Sequence, residues 1–277
     1  MSITRRYFLE LGIKGVVSIG AGNMLQSFTD NNFSLPALKD VQLRFAIASD
    51  GHFGQELSDY ERKHTEMVNW LNKESTNRGV DFTMLNGDIF HDDESLIAAV
   101  KSYWDKLSMP YYVAHGNHDM TDETVWQKAF KYPWNYIFEK EDNAFVVLNS
   151  SDVNGGYICP NKTWAKQQLE LLANKKNLFV FMHITPFSWT KGGLPCPDIV
   201  SLFDKQDNLK AVFNGHDHNY DNMKINNGKC YFFDSHVGGN WGTAYRGYRI
   251  VEVLKNGNIL TYQVNPLKGE PVNSNKL

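Results

Sequence analysis

Leu43-Arg44-Phe45-Ala46-Ile47-Ala48 runs without a break into Ser49-Asp50-Gly51-His52. A short apolar run rich in β formers ends by delivering a carboxylate and an imidazole, which reads as a buried strand with polar groups at its C-terminal end. The arrangement recurs downstream. Phe82 to Leu85 is the next strand and stops at Asn86-Gly87-Asp88; Tyr111 to Ala114 is a third and stops at Gly116-Asn117-His118-Asp119. Between them, Ser58 to Ser75 places Met67, Val68, Trp70 and Leu71 at helical spacing, and Glu94 to Leu107 is helical again. Strand alternating with helix predicts right-handed βαβ crossovers and a largely parallel sheet. In such sheets function collects just beyond the carboxyl ends of the strands.

The second half keeps the habit with more strands. Ala144 to Leu148 and Leu178 to Met182 are apolar runs on either side of a helix over Lys162 to Ala173, and Leu209 to Phe213 runs into Asn214-Gly215-His216-Asp217-His218. Asn226-Asn227-Gly228 and Asn256-Gly257-Asn258 read as hairpin turns, the last strands being Tyr248 to Val253 and Ile259 to Val264. The sequence contains no internal repeat, low-complexity tract or long linker. The expectation is an α/β fold from about residue 40 onward, with two sheets face to face and helices outside.

Five strand ends therefore carry Asp50-x-His52, Gly87-Asp88, Gly116-Asn117-His118-Asp119, His183 and Gly215-His216-x-His218. Singly, each has an ordinary explanation: a strand-end Asp as a turn or helix cap, a buried His as a satisfied core residue. Jointly and in this order they resemble the calcineurin-like metallophosphoesterase superfamily, whose blocks are D-x-H, GD, GNH[D/E], H and GHxH. All five blocks are matched. The resemblance implies a four-layer αββα sandwich of two mixed sheets with a dinuclear metal site at the strand C-terminal ends. It assigns one ion to Asp50, His52, Asp88 and His218 and the second to Asp88, Asn117, His183 and His216, with Asp88 bridging. Residues i and i+2 of an extended segment share a face, so Asp50 with His52, and His216 with His218, can address one pocket. Carboxylate, amide and imidazole donors suit divalent or trivalent transition ions such as Mn, Fe, Zn or Co, of identity left open.

The implied activity is hydrolysis of a phosphomonoester or phosphodiester by a metal-activated hydroxide. His118 would stabilise the phosphoryl oxygens or protonate the leaving group as general acid, with Asp119 orienting it. His91 lies at the position of the iron-binding tyrosine of purple acid phosphatases, which argues against that branch and allows a substrate-side role. His115 reads as structural. Asn149, Trp189, Trp241, Tyr245 and Arg246 lie in or beside loops that could face the pocket, and Trp241, within Gly238-Gly239-Asn240-Trp241-Gly242, could stack on a nucleobase or serve packing.

The chain has 277 residues, 42% of them hydrophobic and 21% charged, with 28 Lys plus Arg against 31 Asp plus Glu. Disordered and fibrous classes are excluded, and the acidic balance argues against nucleic acid as a partner. A small phosphoester is the expected partner. A nuclease of the same superfamily and a non-catalytic metal-holding scaffold are the alternatives; an intact ligand set and His118 speak against the scaffold. Residues 1–35 read as an export signal and linker and 36–277 as the phosphoesterase domain. Thr4-Arg5-Arg6-Tyr7-Phe8-Leu9 and the weakly apolar stretch to Leu25 resemble a twin-arginine signal, implying export to a bacterial periplasm, with membrane contact only in transit or through an uncleaved N-terminus. Cys159, Cys196 and Cys230 allow at most one disulfide and read as semi-buried thiols acting as small hydrophobes.

Overall fold

Phe45 and Ile47 pack into one apolar layer while Ala46 and Ala48 pack into another, the period-two split of a strand buried on both faces. The structure, a computed structural model, describes residues 26–27 and 34–277. The export leader read over Thr4 to Asn32 lies outside them, apart from Gln26 and Ser27.

In chain order the elements are β1 (Gln26–Ser27), β2 (Val41–Ala48), α1 (Tyr60–Arg78), β3 (Phe82–Asn86), α2 (Ile97–Trp104), β4 (Tyr111–Ala114), α3 (Glu123–Phe130), β5 (Tyr136–Lys140) and β6 (Asn143–Val147). They continue with α4 (Lys162–Leu171), β7 (Asn177–Phe181), α5 (Pro197–Asp204), β8 (Leu209–Asn214), β9 (Met223–Asn226), β10 (Lys229–Phe233), β11 (Tyr248–Leu254), β12 (Ile259–Asn265) and β13 (Glu270–Lys276). One sheet has the order β1-β13-β12-β11-β2-β3-β4 and the other β5-β6-β7-β8-β10-β9. Both are mixed: β2, β3 and β4 are parallel, as are β6, β7, β8 and β10, with antiparallel strands outside them.

Three apolar layers hold the two sheets and their helices together. Between the sheets lie Phe45, Phe82, Phe145, Phe179, Phe181 and Phe213. Phe45 stacks on Phe82 at 4.9 Å and meets Phe145 edge-on at 5.5 Å, arrangements that aromatic quadrupoles favour. Outside the first sheet, Met67 and Leu71 of α1, Val100 and Trp104 of α2 and Trp126 and Phe130 of α3 cover Ala46, Leu85 and Ile250. Outside the second, Ala165 and Leu169 of α4 with Ile199 and Phe203 of α5 cover Val146, Val180 and Val212. The result is the four-layer αββα sandwich.

Two chain-level corrections follow. Cys159 and Cys196 are disulfide-bonded rather than free thiols; only Cys230 is a buried free thiol. The stretch read as one helix from Glu94 begins with a 3₁₀ turn over Glu94–Leu96, capped by Asp93, before α2. Among the described residues, no helix is long and apolar enough to cross a membrane.

Candidate metal centre

The parallel strands of both sheets point their carboxyl ends to one edge, and the sheets are joined there. Ser49 bridges His236, His216 N–H donates to Asp50 Oδ1 at 2.9 Å, and Asn86 Nδ2 donates to the Phe213 carbonyl at 3.2 Å. Just past these ends the chain turns under strain. Asp50, His52, Asp88 and His216 have φ of 60°, 45°, 52° and 67°, left-handed values that are costly for residues with a Cβ and that cluster at functional sites. Gly87, at φ 88°, and Gly116 make the approach possible: a Cβ on Gly116 would lie 2.2 Å from the Asp88 backbone nitrogen.

The structure brings Asp50, His52 and His218 into one group and Asp88, His183 and His216 into another, each with its ligand atoms within 4.8 Å of one another. Asp88 Oδ2 lies 3.1 Å from His183 Nε2 and 3.5 Å from His52 Nε2, so one carboxylate oxygen stands between the groups. Asn117 is buried beside them with its Oδ1 unpartnered. The second ring nitrogens fix the imidazoles: His183 Nδ1 donates to the Asn86 carbonyl at 2.7 Å and His218 Nδ1 to the Trp241 carbonyl at 3.2 Å. Both therefore turn Nε2 inward, the orientation that ligand histidines are given by their outer partners. His52 Nε2 and His218 Nε2 face each other at 2.9 Å.

This donor set fits transition-metal ions. Asp50 Oδ2 and Asn117 Oδ1 are buried without a hydrogen-bond partner, a costly arrangement that a bound cation relieves. The electrostatics agree. Burial alone would raise both carboxyls, yet the surrounding imidazoles, His218 for Asp50 and His183 for Asp88, hold them below the usual carboxylate range. Burial pushes His52 down to about 3 and His216 down to about 4, keeping them neutral. Burial acts the same way on His183, but the Asp88 and Asp50 charges override it and raise that imidazole to about 10. Two buried carboxylates thus concentrate negative charge at this edge, which suits a cation-binding site.

His118 is half-buried at the rim, its backbone N–H donating to Asp88 Oδ1 at 2.8 Å. Its carboxylate partner is Asp92 and not the expected Asp119. His118 Nδ1 meets Asp92 Oδ1 at 2.7 Å, whereas Asp119 is fully buried and accepts from the Ile89, Phe90 and Gly116 N–H groups at 2.7, 3.0 and 2.9 Å. Three backbone donors already aim at Asp119, so its carboxylate shapes the loops instead of facing the imidazole. His91 is drawn in beside the site: its Nδ1 is 2.9 Å from His52 Nδ1 and its ring stacks on His118 at 4.5 Å. Trp241 lies flat on His218, 4.4 Å away, and is 42% exposed.

Other loop residues turn elsewhere. His115 and Asn149 hydrogen-bond each other in the interior, Trp189 stacks on Phe187, Tyr245 binds Asp221 and Arg246 binds Glu66. Sequence reasoning missed Asp92 and Tyr157, whose hydroxyl is 2.9 Å from His216 Nε2. The only sequence signal for Asp92 was an acid next to His91 in the loop after Asp88. Nothing in the sequence marked Tyr157.

An α/β sandwich that gathers two groups of Asp and His donors at the carboxyl ends of its strands has the layout of a metal-dependent phosphoesterase. The chain belongs to the calcineurin-like phosphoesterase family, whose sequence profile matches residues 43–220. No curated protein sequence matches it. Among solved structures it is similar to a dimetal phosphatase from Danio rerio, with a TM-score of 0.69 and 12% identity over 86% of this chain and 99% of that one. It is similar also to a purple acid phosphatase from yellow lupin seeds, with a TM-score of 0.64 and 14% identity over 84% of this chain and 53% of that one. GAP50 of Plasmodium, the anchor in the inner membrane complex, has a TM-score of 0.64 and 17% identity over 86% and 89% of the two chains. Likeness at such identities speaks to the fold.

Proposed function

We propose that the protein is a dinuclear-metal phosphohydrolase of small phosphomonoesters or phosphodiesters. The observation that carries this reading is Asp88 Oδ2, placed between His183 and His52 at 3.1 and 3.5 Å with unpartnered donor atoms around it. Asp50, His52, Asp88 and His218 would hold one ion, and Asp88, Asn117, His183 and His216 the other. Manganese, iron, zinc and cobalt suit these donors. Such ions, when bound, neutralise charge on phosphoryl oxygens and make water acidic enough to supply a nucleophile near neutral pH.

The chain's own residues do the rest. Asn86 and Trp241 orient His183 and His218 through their carbonyls. His118, with Nδ1 anchored on Asp92, keeps Nε2 for the proton that the leaving alkoxide takes. His91, stacked on His118, and Trp241, over His218, flank the mouth as substrate contacts. Export through the twin-arginine-like leader is part of the proposal, and the Cys159–Cys196 bridge supports it, since disulfides persist in oxidising compartments.

The test is hydrolysis of p-nitrophenyl phosphate and bis-p-nitrophenyl phosphate with added Mn²⁺, together with a plasmid DNA digest. Turnover of either small ester, abolished by chelator, is expected. No turnover with metal bound would leave a scaffold, and rapid DNA degradation a nuclease.

A further inference from the structure

The loops that follow the adjacent parallel strands β6, β7 and β8 converge on His216. From the first, Tyr157 sets its hydroxyl 2.9 Å from His216 Nε2, the two rings meeting edge-on at 5.0 Å. From the second, Gly192 approaches the same imidazole so closely that a Cβ there would come within 2.6 Å of Cδ2 and Nε2. Thr190 of that loop donates to Asp217 Oδ2 at 2.8 Å. The Cys159–Cys196 disulfide ties the first loop to the second.

The first loop is also braced internally. Asp152 Oδ1 accepts from the N–H groups of Asn154 and Gly156 at 2.8 and 2.9 Å, and Ile158 N–H donates to the Ser150 carbonyl at 3.0 Å. Its tip presses on the other ligand candidate, Asn117: a Cβ on Gly155, where φ is 79°, would lie 2.6 Å from the Asn117 carbonyl oxygen. A stiff loop thus carries one aromatic side chain to the imidazole of a ligand candidate.

Tyr157 is 41% exposed, so burial of its ring does not explain its place. Its hydroxyl faces inward to the His216 imidazole while the residue stays partly open to solvent. A neutral imidazole has one lone pair and one N–H, so an ion held by His216 frees the phenol O–H for another acceptor whichever nitrogen it takes: on Nε2 it displaces the phenol, and on Nδ1 it leaves Nε2–H donating to the phenol oxygen. We propose that Tyr157 is a substrate-binding residue whose hydroxyl turns from His216 to a phosphoryl oxygen when the second site is filled, and that the Cys159–Cys196 bridge holds the loop that presents it. This rests on the phosphohydrolase reading and adds to it a donor that holds the phosphoryl group and takes no part in bond cleavage.

The test compares wild type, Tyr157→Phe and a Cys159→Ser/Cys196→Ser double variant, each loaded with Mn²⁺ and titrated with inorganic phosphate by calorimetry, with metal content measured in the same samples. Losing a hydrogen bond to a charged acceptor corresponds to about tenfold in affinity. Tyr157→Phe is expected to weaken phosphate and raise KM for p-nitrophenyl phosphate by about that factor, with kcat and metal content nearly unchanged. The double variant is expected to weaken phosphate by a smaller factor, because Tyr157 remains but its tether is gone; unchanged affinity there overturns the part given to the bridge. Unchanged phosphate affinity in Tyr157→Phe overturns the proposal. So does loss of metal in that variant with phosphate binding falling in step, which would make Tyr157 a support for His216 alone. A wild type that holds metal yet binds no phosphate overturns the phosphohydrolase reading beneath it as well.

Discussion

Asp92 Oδ1 sits 2.7 Å from His118 Nδ1, and this contact assigns different consequences to two neighbouring acids. Asp92→Asn removes the carboxylate that anchors His118 Nδ1 and so fixes where Nε2 points. It is expected to slow hydrolysis of alkyl phosphates, whose leaving groups need the His118 proton, roughly tenfold or more, while p-nitrophenyl phosphate and metal content change little. Equal slowing of both ester types would contradict the general-acid assignment. Asp119→Asn acts on the fold instead. Its two carboxylate oxygens accept three backbone N–H groups, and an amide NH₂ in place of one oxygen would face a donor in the interior, costing about 1–3 kcal/mol. Thermal denaturation of the two variants separates them: Asp119→Asn lowers the melting temperature and Asp92→Asn does not. The ligand candidates were legible in the sequence because each follows an apolar strand at fixed spacing, and the strand's direction decides where its end lies. Asp92 was not, because a contact between an exposed loop acid and a histidine 26 positions away leaves no periodic trace.

Strand ends and the turns that leave them set the precision of the site. Gly116 shows how closely they approach, since an added Cβ would sit 2.2 Å from Asp88 N and 2.3 Å from Asp88 Oδ1. The atoms that would have to move are backbone and a ligand carboxylate, so no side-chain rotation offers relief. Gly116→Ala is expected to destabilise the fold by more than about 3 kcal/mol, beyond the usual range for one substitution, and to displace Asp88; chemical denaturation and metal analysis would measure both, and wild-type stability with full metal content would contradict the close packing. The strands β2, β3, β4, β7 and β8 were readable to within a residue or two, since burial at most of their positions makes them largely apolar runs. So was α1, although it runs on to Arg78 and stops where Gly79 takes φ 75°. Less legible were α3 and α5, each eight residues and two turns long, and the edge strand β5. The strand β13, Glu-Pro-Val-Asn-Ser-Asn-Lys, has no apolar alternation; its pairing with β12 makes it a strand. The Cys159–Cys196 bridge, 37 residues in span, was hidden for a related reason: chain distance does not reveal which loops of neighbouring strands converge.

At the scale of the whole molecule, two sheets of parallel-cored strands are pressed together so that their carboxyl ends open on one edge, and the donors of both sheets meet there. Asp50, His52, Asp88 and Asn117 come from the first sheet and His183, His216 and His218 from the second, so the centre exists only when both halves are assembled. Asp88 is the residue on which the two-ion account turns. The most direct test is metal stoichiometry: chelator-stripped wild type and Asp88→Asn are titrated with Mn²⁺ by calorimetry and the bound metal is counted by mass spectrometry. The account predicts two ions per chain for the wild type and loss of both in Asp88→Asn, since one carboxylate serves both positions. Two ions retained in Asp88→Asn, or a wild type that holds only one, would contradict it.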